Sequence, residues 1–119
     1  VVSLSVAGGG VIVATLTLDS LKSLGLTVGK AVTAFVKAPS VMVVTGDDSV
    51  RYSARNHLKG LVSELKTGAV NSEVVVKLAG GSEVKAIITN DAVTDLGLAV
   101  GSTASVLFKA GSVILGVTA

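Results

Sequence analysis

Short runs of alternating apolar and polar residues, each followed by glycine, recur along the chain and predict β-strands joined by tight turns. The runs SLSV and EVVVKL lead into Gly8-Gly9 and Gly80-Gly81, which are typical of hairpin turns. A second strand is predicted after each turn, at Val11–Thr17 and at Glu83–Thr89. The pattern therefore favours an all-β chain assembled from small hairpins.

These hairpins belong to an internal duplication. Val2–Met42 aligns without a gap with Val74–Ile114, so that LSVAGG matches VKLAGG and AFVKAPSVMV matches VLFKAGSVIL. Each copy also holds the turn sequence Leu-Gly-Leu-x-Val-Gly, and a last pair of strands is predicted around Lys37-Ala38 and Lys109-Ala110. A duplication of this kind means that the same supersecondary unit occurs twice.

Each copy also carries the signals of one short helix. Asp19 and Asp91 are predicted to be N-caps, and Gly25 and Gly97 are predicted to end the two helices. Four or five short strands with one short helix predict a small closed barrel in each copy.

The two copies are not equal. The second is preceded by Ser53–Ser72, which contains a further predicted strand at His57–Leu65, whereas no such segment precedes the first copy. We therefore expect the first barrel to lack its opening strand and to have an open edge.

A polar segment separates the copies. TGDDSVRY, residues Thr45–Tyr52, reads as a linker, and its pair Asp47-Asp48 is expected to form a turn and not a catalytic dyad. The predicted division is residues 1–50 for the first domain with the linker and 51–119 for the second.

Composition removes several classes of function. Only 3% of the residues are aromatic and the net charge is +2, which argues against an OB-fold nucleic-acid binder with stacking aromatics and a basic groove. The chain has no cysteine and one histidine, so a thiolate or multi-histidine metal site and a nucleophile–base pair are not expected.

Half of the residues are apolar, more than a core of this size needs, so oligomerisation is expected. No apolar run spans a membrane and no basic leader is visible, so a cytoplasmic location is expected.

Hydrogen-bond donors collect in a few places that hold no carboxylate. The two KAxS elements each offer an ammonium, backbone N–H groups and a hydroxyl, and Ser53 and Arg55 add a hydroxyl and a guanidinium fork. Such clusters suit a dianion whose oxygens are all acceptors, such as sulfate, molybdate or tungstate. Hydrogen phosphate carries a proton that needs an acceptor, so the same clusters disfavour phosphate.

The sequences SARNHLKG, TGAVNSEV, LAGGSEVKAIIT, LGLAVG and FKAGSVILGV closely resemble the molybdenum-binding (Mop, or TOBE) domain. The resemblance covers residues 53–119 and, without its first segment, residues 1–44. Two such copies in tandem resemble the molbindins. The resemblance implies two OB-like barrels, trimeric assembly and oxyanions bound at interfaces between barrels, with molybdenum held as molybdate and not as a metal cation, and with no cofactor.

The resemblance also implies which residues bind the oxyanion. The first group of binding residues is Thr17, Lys37, Ala38, Ser40, Ser53, Ala54, Arg55, Asn56, Thr89, Lys109, Ala110 and Ser112. A second site is implied at Gly68, Ala69, Val70, Asn71 and Ser72, mainly through backbone N–H groups. The first copy has neither SARN nor GAVN, and Pro39 lacks the N–H that Gly111 keeps, so fewer or unequal sites are expected.

The function implied is storage or homeostasis of molybdate, and of tungstate, without catalysis. The alternative is the ligand-sensing module of a larger molybdate-responsive regulator or of a molybdate transporter ATPase. Without the resemblance, Lys37 and Lys109 would be solvated lysines at strand ends and Gly68–Asn71 an ordinary hairpin turn. His57 is expected to be structural.

Overall fold

Two antiparallel hairpins, one from each copy, form the framework of the fold. The computed structural model describes residues 1–46 and 49–118, so Asp47-Asp48 lies outside the described residues. The strands are β1 (Val2–Ser5), β2 (Val11–Ala14), β3 (Thr33–Val36), β4 (Met42–Val44), β5 (Asn56–Thr67), β6 (Asn71–Leu78), β7 (Glu83–Thr89), β8 (Thr103–Phe108) and β9 (Val113–Gly116). The helices are α1 (Leu18–Ser23) and α2 (Asn90–Leu96), and 3-10 turns occupy Ala38–Ser40 and Ala110–Ser112.

The hairpins β1–β2 and β6–β7 have the same turn, as the duplication predicts. Gly9 N donates to the Val6 carbonyl at 3.1 Å, and Gly81 N donates to the Leu78 carbonyl at 2.9 Å. The two turns pack directly against each other, because a Cβ placed on Gly80 would lie 1.7 Å from the carbonyl oxygen of Ala7. Only glycine allows this close approach of two backbones.

The bounds of the strands agree in part with the sequence patterns. β7 has the predicted bounds, and β5 extends the predicted strand His57–Leu65 at both ends. β2 ends at Ala14 and not at Thr17. Its next residue, Thr15, turns away from the hairpin and donates its N–H to the carbonyl of Ala110 at 3.1 Å.

The N-caps of both helices differ from the prediction. Thr17 and Thr89 cap α1 and α2, each accepting the backbone N–H three residues later at 3.1 Å. Asp19 and Asp91 lie in the first helical turn, where a carboxylate meets the positive end of the helix dipole. The prediction of aspartate caps was wrong because threonine caps equally well and stands two residues earlier.

Glycines end both helices in the way that the sequence predicts. Gly25, which follows the C-cap of α1, and Gly97, the C-cap of α2, have φ values of 62° and 64°. These left-handed conformations stop the helical hydrogen bonding.

β5 joins two parts of one sheet. Its first half, Asn56–Leu61, pairs with β8, and its second half, Gly60–Thr67, pairs with β6. The strand bends where the two halves overlap, and a Cβ on Gly60 would lie 2.3 Å from the carbonyl oxygen of Lys77. This long strand curls the sheet β4-β8-β5-β6-β7 into a half-barrel, and the OB-like fold that the resemblance implies is confirmed.

The last strand of each copy pairs with the other copy. β9 pairs with β3, and β4 pairs with β8, both antiparallel. The sequence predicted a local strand pair around each KAxS element, but the two flanking strands do not pair with each other in the described residues. The domain boundary placed at residue 50 stays a prediction, and strand pairing crosses it in both directions.

The core is shared between the copies. Its largest fully buried side chains include Phe108, Val62, Val74, Val76 and Val106, and Ala14 of the first copy is equally buried. In the described part of the chain, neither helix is long and apolar enough to cross a membrane.

Within the described residues, one edge of the first copy's hairpin is open, as predicted. β1 corresponds to β6 of the second copy, and β6 pairs with β5 along one edge. In the described ranges, the matching edge of β1 has no partner strand. Two clefts of about 600 and 710 Å³ occupy that place, between β1 on one side and residues 26–36 on the other. β5 fills the matching space between β6 and β8 in the second copy.

A strand supplied to this gap should stabilise the protein. We expect a copy of residues 53–72 fused directly ahead of Val1 to raise the free energy of unfolding by about 2 kcal/mol or more, since burial of one leucine contributes about 1.5–3 kcal/mol. Urea unfolding measures this change. A fused segment of the same composition in scrambled order is the control, and equal stability of the two fusions would contradict the expectation.

Candidate oxyanion-binding site

The SARN segment and the second KAxS element lie at the same end of the sheet. The β5–β8 ladder ends at the pair Asn56 and Phe108. Arg55 precedes this pair on one strand and Lys109 follows it on the other, so the antiparallel register brings their backbones together. Arg55 and Lys109, two cationic residues far apart in the chain, thus lie at the same end of the sheet.

Asn56 fixes this end of the sheet to the first copy. Its side chain is fully buried, its Oδ1 accepts the N–H of Val13 at 2.7 Å, and its Nδ2 donates to the carbonyl of Val13 at 2.9 Å. The carboxamide therefore acts like a strand partner for β2. Asn56 was predicted among the binding residues. In the structure, its side chain binds the main chain of Val13 and so holds the segment that carries Arg55 against β2.

The element Lys109–Ser112 exposes donors. Ser112 N donates to the Lys109 carbonyl at 2.9 Å, and the Ala110 carbonyl accepts from Thr15, so two of its carbonyls are occupied. Within residues 1–46 and 49–118, the N–H of Gly111 has no acceptor. Its ammonium, hydroxyl and free N–H match the donor set that an oxyanion requires.

The matching element Lys37–Ser40 has the same local form. Ser40 N donates to the Lys37 carbonyl at 2.8 Å, and residues 38–40 make the same 3-10 turn. Pro39 supplies no N–H where Gly111 does. The two elements therefore differ by one donor.

Strand exchange places each KAxS element beside the other copy. The turn Ala110–Ser112 contacts β2, which leads to Thr17, and the turn Ala38–Ser40 contacts β7, which ends at Thr89. Both threonine hydroxyls accept the N–H bonds of their helix caps, and the Thr17 hydroxyl also donates to Ser20 Oγ at 3.0 Å. Thr17 and Lys109 thus belong to one region, and Thr89 and Lys37 to another.

The cations of the site have no carboxylate partner in the part of the chain that the structure describes. Arg55, Lys37 and Lys109 are exposed and form no ion pair there. The ion pairs found in those residues are Lys66–Glu64 at 3.3 Å and Lys85–Glu73 at 3.9 Å, and neither includes a cation of the site. Uncompensated cations beside free N–H groups attract an anion.

The segment Gly68–Ser72 lies at the opposite end of β5. It forms the hairpin turn between β5 and β6 and is exposed except for Ser72, which is 2% exposed. The structure thus separates the two predicted groups of binding residues along one strand.

Other polar groups give no further centre. Among the residues the structure describes, no three His, Cys, Asp or Glu side chains lie close enough together to hold a metal ion. The His57 ring packs edge-on against Tyr52, with centroids 5.6 Å apart.

Two features of the site were missed at the level of sequence. The main chain at Val13 of β2 and at Thr15 just after it supports both SARN and KAGS, and Asn90 binds the turn Gly68–Ser72. Asn90 had one available signal, because the first copy has Leu18 at the matching position.

Comparison with known proteins also shows two copies of one domain in tandem. The profile of the TOBE domain matches residues 1–43 and again residues 52–115. The chain belongs to the TOBE-domain family. The tandem arrangement resembling the molbindins is thereby confirmed.

One solved structure matches this tandem TOBE chain over nearly its whole length. It is the cytoplasmic molybdate-binding protein ModG with molybdate bound, which is 46% identical with a TM-score of 0.93 and covers 98% of this chain and 82% of its own. The crystal structures of ModG suggest a cooperative binding mechanism and provide insights into its ligand-binding specificity.

Longer curated relatives contain the same tandem TOBE region. The molybdenum transport protein ModE of Herbaspirillum seropedicae is 42% identical over 98% of this chain and 43% of its own length. The molybdenum-pterin-binding protein MopA of Rhodobacter capsulatus is 40% identical over 96% of this chain and 43% of its own length. The chain thus spans less than half the length of these relatives.

The buried Asn56 should matter more for stability than an exposed asparagine. Asn56→Ala leaves the N–H and carbonyl of Val13 unpaired, which costs about 1–3 kcal/mol for each group. Asn56→Asp keeps the acceptor for Val13 N but offers no donor until the acid is protonated, so its deficit should shrink at acidic pH relative to the wild type.

Urea unfolding of the tandem TOBE protein measures both variants. Asn71→Ala is the control, since the Asn71 side chain is exposed and makes no hydrogen bond within the described ranges. A loss from Asn56→Ala no larger than that of Asn71→Ala would contradict the supporting role of the Val13 contacts.

Proposed function

We propose that this protein binds molybdate as an intact oxyanion and performs no chemistry on it. The observation that supports this most strongly is the meeting of Arg55 with the element Lys109–Ser112 at one end of the sheet, with no carboxylate partner in the described residues. The likeness to a ModG structure with molybdate bound, at 46% identity, supports the same ligand.

The proposed mechanism is capture by donors alone. Arg55, Lys109, the hydroxyls of Ser53 and Ser112 and the free N–H of Gly111 supply charge-assisted and backbone hydrogen bonds, while Ala54 and Ala110 keep the backbone close. Each charge-assisted bond contributes about 1.5–3 kcal/mol, so a few of them suffice for micromolar binding. Thr17 belongs to this region through β2.

The proposed counterpart uses Lys37, Ala38 and Ser40 with Thr89. Pro39 removes an N–H that Gly111 keeps at the matching position, so we propose that this counterpart binds the oxyanion more weakly. A second kind of site is proposed at the turn Gly68–Ser72.

Tungstate should bind as molybdate does, because the two dianions have the same charge and nearly the same size. Sulfate is a smaller dianion and should bind more weakly. Hydrogen phosphate should be rejected, because its proton would face donors only.

We also propose that the protein assembles into a trimer and acts in the cytoplasm in molybdate storage and homeostasis, without a further cofactor. Exposed apolar side chains support oligomerisation: Phe35 is 55% exposed and its cross-strand neighbour Ile114 is 53% exposed. Such a patch is unfavourable in water unless another surface covers it.

A second candidate is a ligand-sensing module within a larger protein. The chain's match to only 43% of the Herbaspirillum relative favours this candidate. Storage requires binding by this chain alone, whereas sensing requires that ligand binding alter an attached domain.

Calorimetric titration with molybdate, tungstate, sulfate and phosphate tests the proposed binding. We expect molybdate and tungstate to bind tightly, sulfate weakly and phosphate not at all. Native mass spectrometry in the same buffers reports the oligomer, which the ligand should stabilise by mass action if sites lie between chains. Absence of heat with every oxyanion would refute the proposal.

Arg55 should contribute more to binding than the nearby Arg51. Arg55→Ala removes a guanidinium fork, which we expect to lower molybdate affinity about 10- to 100-fold. Arg55→Lys keeps the charge without the planar fork, so its molybdate affinity should lie between that of the wild type and that of Arg55→Ala.

Arg51→Ala is the matched control, because Arg51 is an exposed arginine of the linker and makes the same change in net charge. Calorimetry should give it an affinity within about twofold of the wild type. Equal losses from Arg51→Ala and Arg55→Ala would show an effect of overall charge and not a site.

A further inference from the structure

In the turn between β5 and β6, three backbone carbonyls are hydrogen-bonded within the described residues, whereas two backbone N–H groups are not. The Gly68 carbonyl accepts from Asn90 Nδ2, the Val70 carbonyl accepts from Asn90 N, and the Asn71 carbonyl accepts from Gly68 N, each at 2.9 Å. In residues 1–46 and 49–118, the N–H groups of Ala69 and Val70 have no acceptor, and both residues are exposed. The exposed side of the turn therefore offers backbone donors whose neighbouring carbonyls are largely occupied.

Asn90 is the residue that produces this arrangement. Its side-chain Nδ2 donates to the Gly68 carbonyl and its side-chain Oδ1 accepts the hydroxyl of Ser72 at 2.5 Å, while its backbone N–H, which any residue here would keep, donates to the Val70 carbonyl. One side chain thus spans the turn from Gly68 to Ser72. Because Ser72 is buried and donates to Asn90, its hydroxyl belongs to this support and not to the exposed donor face.

The first copy indicates that the fold does not require asparagine here. Leu18 occupies the matching position and is 74% exposed. Helix α1 still begins with the same threonine cap as α2, Thr17 in place of Thr89. The first copy therefore forms its helix without asparagine, so the helix alone does not require Asn90.

We propose that Asn90 is a positioning residue for the oxyanion site at Gly68–Ser72. It holds the turn's carbonyls inward so that the N–H groups of Ala69 and Val70 face the anion. This inference rests on the proposed oxyanion binding and extends it to a residue that does not touch the ligand.

Backbone amide NMR of the uniformly labelled protein titrated with molybdate tests the role of Asn90. In the wild type, we expect the amide resonances of Ala69 and Val70 to shift on titration, as those of Gly111 and Ser112 do. In Asn90→Leu, the half-saturation concentration at Ala69 and Val70 should rise at least about tenfold, because the two N–H groups would no longer be held toward the anion and one weakened bond to a charged group costs about 1.5 kcal/mol or more. The half-saturation concentration at Gly111 should remain within about twofold of the wild type.

Two control variants separate positioning from general destabilisation. Leu18→Asn makes the reverse change at the matching position of the first copy. Ser102→Ala removes the Ser102 Oγ bond to Ala99 N, 3.0 Å long, which fixes a different turn. Both should leave the titration at Ala69 and Val70 unchanged.

The outcomes distinguish this inference from the proposed function. Shifts at no amide of the wild type would refute the oxyanion binding itself. Shifts at Gly111 with none at Ala69 and Val70, or an unchanged titration in Asn90→Leu, would overturn the role of Asn90 and leave the other site standing. An equal loss at Gly111 in Asn90→Leu, or the same loss in Ser102→Ala, would show a purely structural effect and also overturn it.

Discussion

The pairing of each copy's last strand with the other copy is the constraint on which the rest of the structure depends. β9 completes the edge of β3, and β4 completes the edge of β8. Each KAxS element immediately precedes one of these strands, so the exchange carries it to the hairpin of the opposite copy. The Thr15–Ala110 hydrogen bond then fixes the second element on β2. Without this exchange, the edges of β3 and β8 that pair with β9 and β4 would be open.

The proposed chemistry follows from where carbonyls and N–H groups point. At Lys109–Ser112, carbonyls are occupied by the element itself and by β2, and at Gly68–Asn71 they are occupied by the turn and by Asn90. Both segments thereby present free N–H groups on the exposed side. A surface of donors favours an anion without protons over one that carries a proton, so the backbone contributes to selectivity as well as to affinity.

Local patterns predicted the local structure well. The glycine hairpin turns, β7 and the open edge of β1 were all predicted from alternation and duplication, because they depend on neighbouring residues or on comparison of the copies. The strand exchange was not predictable in this way, since β3 and β9 belong to different copies and are far apart in the chain. The error at Asp19 and Asp91 arose because aspartate and threonine are both good caps within the same few residues.

The candidate site was predicted in outline only. SARN, GAVN and KAxS are recognisable as motifs, and the structure gathers them at two ends of β5. The sequence did not separate residues that face a ligand from those that support them. Asn56 and Ser72 are polar members of the motifs, yet their side chains are buried and bonded to Val13 and Asn90. Tertiary contacts decide this distinction, and the motifs do not contain it.

Anomalous diffraction at the molybdenum absorption edge, from crystals grown with molybdate, tests the central claim most directly. The account predicts two groups of molybdenum peaks. At the first, the oxygens of the bound molybdate accept hydrogen bonds from Arg55, Gly111 N and Ser112. At the second, they accept hydrogen bonds from the N–H groups of Ala69 and Val70. Molybdenum bound elsewhere, with these donors facing only water, would contradict the claim that strand exchange assembles the site.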